Sequence, residues 1–82
     1  MRKLLVGESQ CRAFPARYYL LEGEEGSYGV QIEMKGESAA APDLRPSRQR
    51  VKEFAERLVR GTMTPMTLRD VVDDWLLEDT FS

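Results

Sequence analysis

From Tyr28 onward the apolar side chains Tyr28, Val30, Ile32 and Met34 alternate with Gly29, Gln31, Glu33 and Lys35. A period of two sets four apolar groups on one face of a strand, because successive Cβ atoms point to opposite sides of the pleat. Upstream, Ala16 to Leu21 is rich in aromatic and aliphatic residues, and a polar stretch with Gly23 and Gly26 separates it from Tyr28. The two segments read as an antiparallel hairpin. Its loop exceeds the favoured two-residue turn, with both glycines free to take positive φ and the glutamates turned to water. Gly36 permits a tight turn after Met34 and Lys35, so a third strand is expected near Glu37–Ala41. Leu4, Leu5 and Val6 would add an edge strand, but the polar residues that follow and Pro15 argue for a break.

Beyond Pro46 the period changes. Val51, Phe54, Ala55, Leu58 and Val59 recur at i, i+3, i+4, i+7 and i+8, the stripe of an amphipathic helix. The expected helix is Arg48–Arg60, with the Ser47 hydroxyl capping a first-turn amide and Gly61 taking a left-handed conformation after the last turn. Thr64 and Pro65 read as N-cap and first helical residue, and Leu68, Val71, Val72, Trp75 and Leu76 repeat the stripe, predicting a second helix over Pro65–Leu77. The short connection makes the helices antiparallel neighbours. The expected fold class is α+β: an antiparallel β-hairpin or three-stranded meander followed by an antiparallel two-helix pair packed on one sheet face. Residues 16–78 form the expected domain. Residues 1–15 are an N-terminal segment, an edge strand or disordered, and 79–82 a tail. Phe54 and Trp75 are the expected core anchors, each costing about 3–5 kcal/mol on truncation to alanine.

Composition narrows the functional classes. A chain of 82 residues that is 41% hydrophobic and 32% charged suits one small folded domain. It contains no histidine, which removes the commonest general acid/base and neutral metal ligand. The single cysteine, Cys11, has no intramolecular disulfide partner, so a cytoplasmic location is expected. Met1–Val6 begins like the basic start of a signal peptide, but Gly7, Glu8, Ser9 and Gln10 interrupt it, and no apolar run approaches the roughly 20 residues that span a bilayer. Neither export signal nor membrane segment is expected. The net charge of −2 is unevenly distributed: residues 45–60 carry 6 basic and 2 acidic groups, and residues 61–82 carry 1 and 5. An antiparallel helix pair would bring Arg48, Arg50 and Lys52 beside Asp73, Asp74, Glu78 and Asp79, each set offsetting the other's unfavourable place on its own helix dipole.

Candidate chemistry is sparse. Cys11 beside Arg12 meets one requirement of a thiolate nucleophile, yet no histidine is available as its base. Asp70, Asp73 and Asp74 share a helix, but a hard-cation site needs more oxygen ligands and a shaped loop. The glycines fit no phosphate-cradling pattern. No cofactor or metal is expected. Arg45, Arg48, Arg50 and Lys52 form the one basic concentration, an alternative nucleic-acid contact. Against it stand the interruption by Glu53 and Glu56 and the lack of interleaved aromatic residues to stack bases. Tyr18, Tyr19 and Tyr28 lie on the hairpin, and a two-layer domain leaves one sheet face without helices. Tyr19 and Leu21 on that face are therefore the candidate protein interface.

The run Thr62-Met63-Thr64-Pro65-Met66-Thr67-Leu68-Arg69-Asp70-Val71-Val72-Asp73-Asp74-Trp75-Leu76, after a hairpin beginning Tyr18-Tyr19-Leu20-Leu21-Glu22, resembles a family of short proteins from clostridia-type Firmicutes catalogued as a domain of unknown function. The resemblance covers roughly Arg17 to Leu77. It implies a cytoplasmic bacterial origin and no assigned activity, and it carries over no catalytic or binding residue. The expected role is a non-enzymatic regulatory or adaptor module, its partner an unidentified protein or a second copy of itself. Nucleic-acid binding through the basic start of the first helix is the alternative.

Overall fold

The computed structural model describes residues 2–11, 14–24, 26–44 and 46–81. Four strands, β1 (Arg2–Cys11), β2 (Phe14–Glu22), β3 (Tyr28–Met34) and β4 (Glu37–Leu44), form one antiparallel sheet in the order β1-β2-β3-β4. Then follow helix α1 (Arg48–Arg60), a single 3-10 turn (Pro65–Thr67) and helix α2 (Leu68–Phe81). The fold is α+β, with four strands where the sequence predicts two or three, and with helices that meet through side chains such as Phe54–Trp75 and Arg57–Glu78 instead of as the close antiparallel pair expected. The edge strand expected at Leu4–Val6 extends through the whole polar stretch, because pairing with β2 satisfies its backbone wherever the side chains are polar. Pro15 does not break the sheet. It sits opposite Gln10 beyond the last β2–β3 pair, Arg17 with Glu33, so its missing N–H has only one neighbouring strand to serve.

The register explains which face is buried. Tyr18 lies opposite Ile32, Leu20 opposite Val30, and Ile32 and Val30 opposite Ala39 and Ala41. These side chains share the face that meets the helices, and the core joins them to Ala16, Val51, Phe54, Ala55, Leu58, Leu68 and Val72. Helix α1 lies over β1, β2 and β3, while α2 packs on β4. Two backbones approach so closely at Gly29 that a Cβ there would come within 2.7 Å of the Pro42 Cα, with the Ala41 carbonyl nearer still. Gly36, at φ +80°, closes the two-residue turn between β3 and β4 in a region other residues avoid.

Helix α1 spans the predicted residues, but its ends are built differently. Ser47 has the extended backbone of an N-cap without a capping side-chain bond. Gly61 stays right-handed at φ −85°, and Thr62 takes the left-handed position at φ 51°. The Met63 amide donates to the Leu58 carbonyl (3.2 Å) and the Thr62 amide to that of Val59 (3.1 Å), a Schellman closure one residue later than expected. The buried Tyr18 hydroxyl donates to the Met63 carbonyl at 2.7 Å and so ties this loop to β2. The second helix begins as a 3-10 turn after Thr64, and α2 continues beyond the predicted Leu77. In the β2–β3 loop, among the described residues, only Gly26 takes positive φ, and Glu22 turns back to bind Arg48.

Candidate interaction surface

The sheet face away from the helices carries Lys3, Leu5 and Glu8 from β1, Arg17, Tyr19 and Leu21 from β2, Gln31 and Glu33 from β3, and Ser38 and Ala40 from β4. No described element covers it. The Cα envelope measures 36 × 27 × 17 Å, and its short dimension holds one sheet and one helical layer at a spacing of about 10 Å. The charges on this face are matched among themselves. Lys3 Nζ lies 2.6 Å from Glu33 Oε2 and 4.5 Å from the Tyr19 ring centre. Gln31 donates to the same Glu33 oxygen at 2.7 Å, and Arg17 pairs with Glu8 at 3.3 Å. The hydrogen bond to Glu33 raises the Lys3 pKa, partial desolvation opposing it and the charge of Glu33 adding to it.

Leu5 lies directly opposite Tyr19 in the ladder and is 55% exposed. It is the large apolar side chain this face offers to solvent. Leu21, expected there with Tyr19, is only 4% exposed, so the accessible pair is Leu5 and Tyr19. Leu5 carries one legible sequence signal: Leu4-Leu5-Val6 is a run of three apolar residues, and in a strand such a run must send at least one to the face away from the core. A depression of about 290 Å³, lined by Pro15, Arg17, Glu33, Met34 and Lys35, ends the face at the far edge of β2 and β3.

The basic candidates are dispersed. Arg48 pairs with Glu22 on β2 at 3.0 Å rather than with the end of α2. The pairing between helices comes instead from the last turns of α1, where Arg57 lies 3.6 Å from Glu78. Arg50 and Lys52 are exposed on α1, and Arg45 lies outside the described residues. A cleft of about 430 Å³ between the helices is lined by Arg50, Glu53, Phe54, Arg57, Trp75 and Glu78, with charges of both signs on its rim. Its floor is the stack of Phe54 on Trp75, ring centres 4.3 Å apart and 9° from parallel. Asp70, Asp73 and Asp74 are exposed, and among the described residues no three potential ligands gather as a metal ion requires. The side chains of Cys11 and Asp79 lie outside the described residues. Among the described residues no helix is long and apolar enough to cross a membrane.

Residues 3–78 match a family of unknown function, DUF6514, and the chain belongs to that family. No curated protein and no solved structure matches it.

Proposed function

We propose that this chain is a small non-enzymatic cytoplasmic adaptor or regulatory module that binds an amphipathic segment of another protein on its uncovered sheet face. The observation that carries the reading is the exposed Leu5 beside Tyr19, on the β1–β2 side of a face whose flanking charges already pair with each other. An apolar centre rimmed by polar groups is the anatomy of a protein-binding patch. A face with Lys3–Glu33 and Arg17–Glu8 in balance attracts neither a polyanion nor a polycation. Its fitting occupant is a segment with an apolar stripe and uncharged or mixed flanks. Nucleic acid, the alternative, is less well served, since Arg48 and Arg57 are held by carboxylates and Glu53 and Glu56 share their helix.

The test compares tagged wild type with Leu5→Glu and Tyr19→Ser on one side and with Leu77→Ser on α2 as control, each verified as folded by circular dichroism. Each is incubated with host lysate with and without nuclease. A protein retained after nuclease by wild type and Leu77→Ser, and lost from both face variants, supports the reading. Equal retention by Leu5→Glu overturns it, and material that vanishes with nuclease favours the basic start of α1 instead.

A further inference from the structure

The two edges of the sheet are not alike. Strand β4 carries Pro42 and is flanked by α2, and proline is one of the devices by which an edge is kept from pairing. Strand β1 is ten residues long, contains no proline, and has no described strand on its outer side. Its sequence is also self-complementary in charge: Arg2 and Lys3 stand near its beginning and Glu8 near its end. Run antiparallel to a copy of itself, β1 brings Lys3 beside Glu8 of the copy and Glu8 beside its Lys3, so that the in-chain pairs Lys3–Glu33 and Arg17–Glu8 are shared with or exchanged for pairs across the axis. Those two residues project on the same sheet face, as an ordinary cross-strand pair must. Strand β1 has edge-blunting features of its own, Lys3 and the bulge between Leu5 and Gly7, but the bulge falls at mid-strand, where a two-fold axis sets it against itself.

A second observation lies on the other side of the same edge. Between β1 and α1 is a notch of about 390 Å³ lined by Val6, Val59, Glu56 and Arg60. Val6 and Val59 are only half-buried, although α1 leans so closely on β1 that a Cβ at Gly7 would lie 3.2 Å from both Val59 methyl carbons. A copy joined through β1 covers this notch with its own Val6, and Glu56 and Arg60 stand ready to meet their opposites across the axis.

We propose that a second copy of this chain pairs with β1 edge to edge, joining two sheets into one continuous antiparallel sheet of eight strands about a two-fold axis near Leu5 and Val6. Isologous closure leaves no free complementary patch and stops the assembly at two copies. The pairing uses the outer backbone of β1, not its face, so it lays two uncovered faces side by side without occupying either. It stands or falls independently of the partner reading above.

The experiment is a charge-complementation series read by sedimentation equilibrium. Wild type is expected to dimerise. Lys3→Glu opposes glutamate to glutamate across the axis and Glu8→Lys opposes lysine to lysine, so each variant alone is expected to dimerise about tenfold more weakly. Mixed in equal amounts, the two restore both opposite-charge pairs and recover dimer as a heterodimer, an outcome that loss of the Lys3–Glu33 or Arg17–Glu8 contact within one chain does not produce. A wild type that stays monomeric at several hundred micromolar, or a mixture no more associated than its components, overturns the proposal. In either case, capture of a partner protein lost in Tyr19→Ser leaves the reading of the sheet face standing.

Discussion

Tyr18→Phe removes one buried hydroxyl and leaves the ring in place. The Tyr18 side chain is fully buried, its ring in the core and its hydroxyl 2.7 Å from the Met63 carbonyl, with the Ser9 hydroxyl at 3.5 Å. Phenylalanine keeps the ring and deletes only the oxygen, so packing is preserved and the loss is polar. A hydrogen bond of this kind contributes about 1 kcal/mol net, and stranding a buried acceptor costs about 1–3 kcal/mol. Met63 is half-buried, so water partly replaces the lost donor and the expected loss is about 1.5 kcal/mol. For a domain of this size that lowers Tm by about 6–12 °C. The assay is thermal unfolding followed by circular dichroism, with Tyr19→Phe as the control on the opposite face, expected to shift Tm by about 2 °C at most. Because the bond holds the loop that closes α1, amide exchange at Thr62 and Met63 should quicken in Tyr18→Phe. A Tm within 2 °C of wild type, with unchanged exchange in that loop, would refute the assignment of the hydroxyl as the tie between β2 and the helices.

Thr62 holds a left-handed backbone at φ 51°, so Thr62→Gly is expected to stabilise by about 1 kcal/mol in urea denaturation. Gly29→Ala drives a methyl group into the backbone of Ala41 and Pro42 and is expected to destabilise by about 2–3 kcal/mol, measured the same way. Phe54 is 1% exposed whereas Trp75 is half-buried on top of it. Phe54→Ala should therefore cost about 3–5 kcal/mol and Trp75→Ala about 2 kcal/mol, part of it the lost ring stack. Because the Lys3 pKa is raised in the folded chain, its pairing with Glu33 is fully present below the ordinary lysine range and is lost as pH rises through the raised value. Urea midpoints taken from pH 9 upward should fall in wild type and change less in Lys3→Met.

The elements legible in the sequence are those whose side chains carry the period. Helix α1 runs over Arg48–Arg60 and β3 over Tyr28–Met34, because a core-facing stripe at 3.6 or an alternation at 2 is written directly into residue order. The antiparallel hairpin follows from the two glycine-containing turns. Strand β1 was not legible at its full length. Gly7, Glu8, Ser9 and Gln10 carry no apolar alternation, and only the ladder with β2 makes them a strand. The end of α1 shows the same division, since Gly61 marks the stop but the loop's tie to Tyr18 decides that Thr62 turns left-handed. Among candidate contacts, composition and the count of layers pointed to an uncovered sheet face with Tyr19. Which apolar side chain stays in solvent there, Leu5 rather than Leu21, was decided by tertiary packing, since both project on that face. Arg48 found Glu22, 26 positions back along the chain, instead of the acidic end of α2. Local order determines period and caps because each depends on neighbours within a turn or a pleat. Exposure and ion pairing depend on residues far apart in the chain, and only the folded arrangement chooses among them.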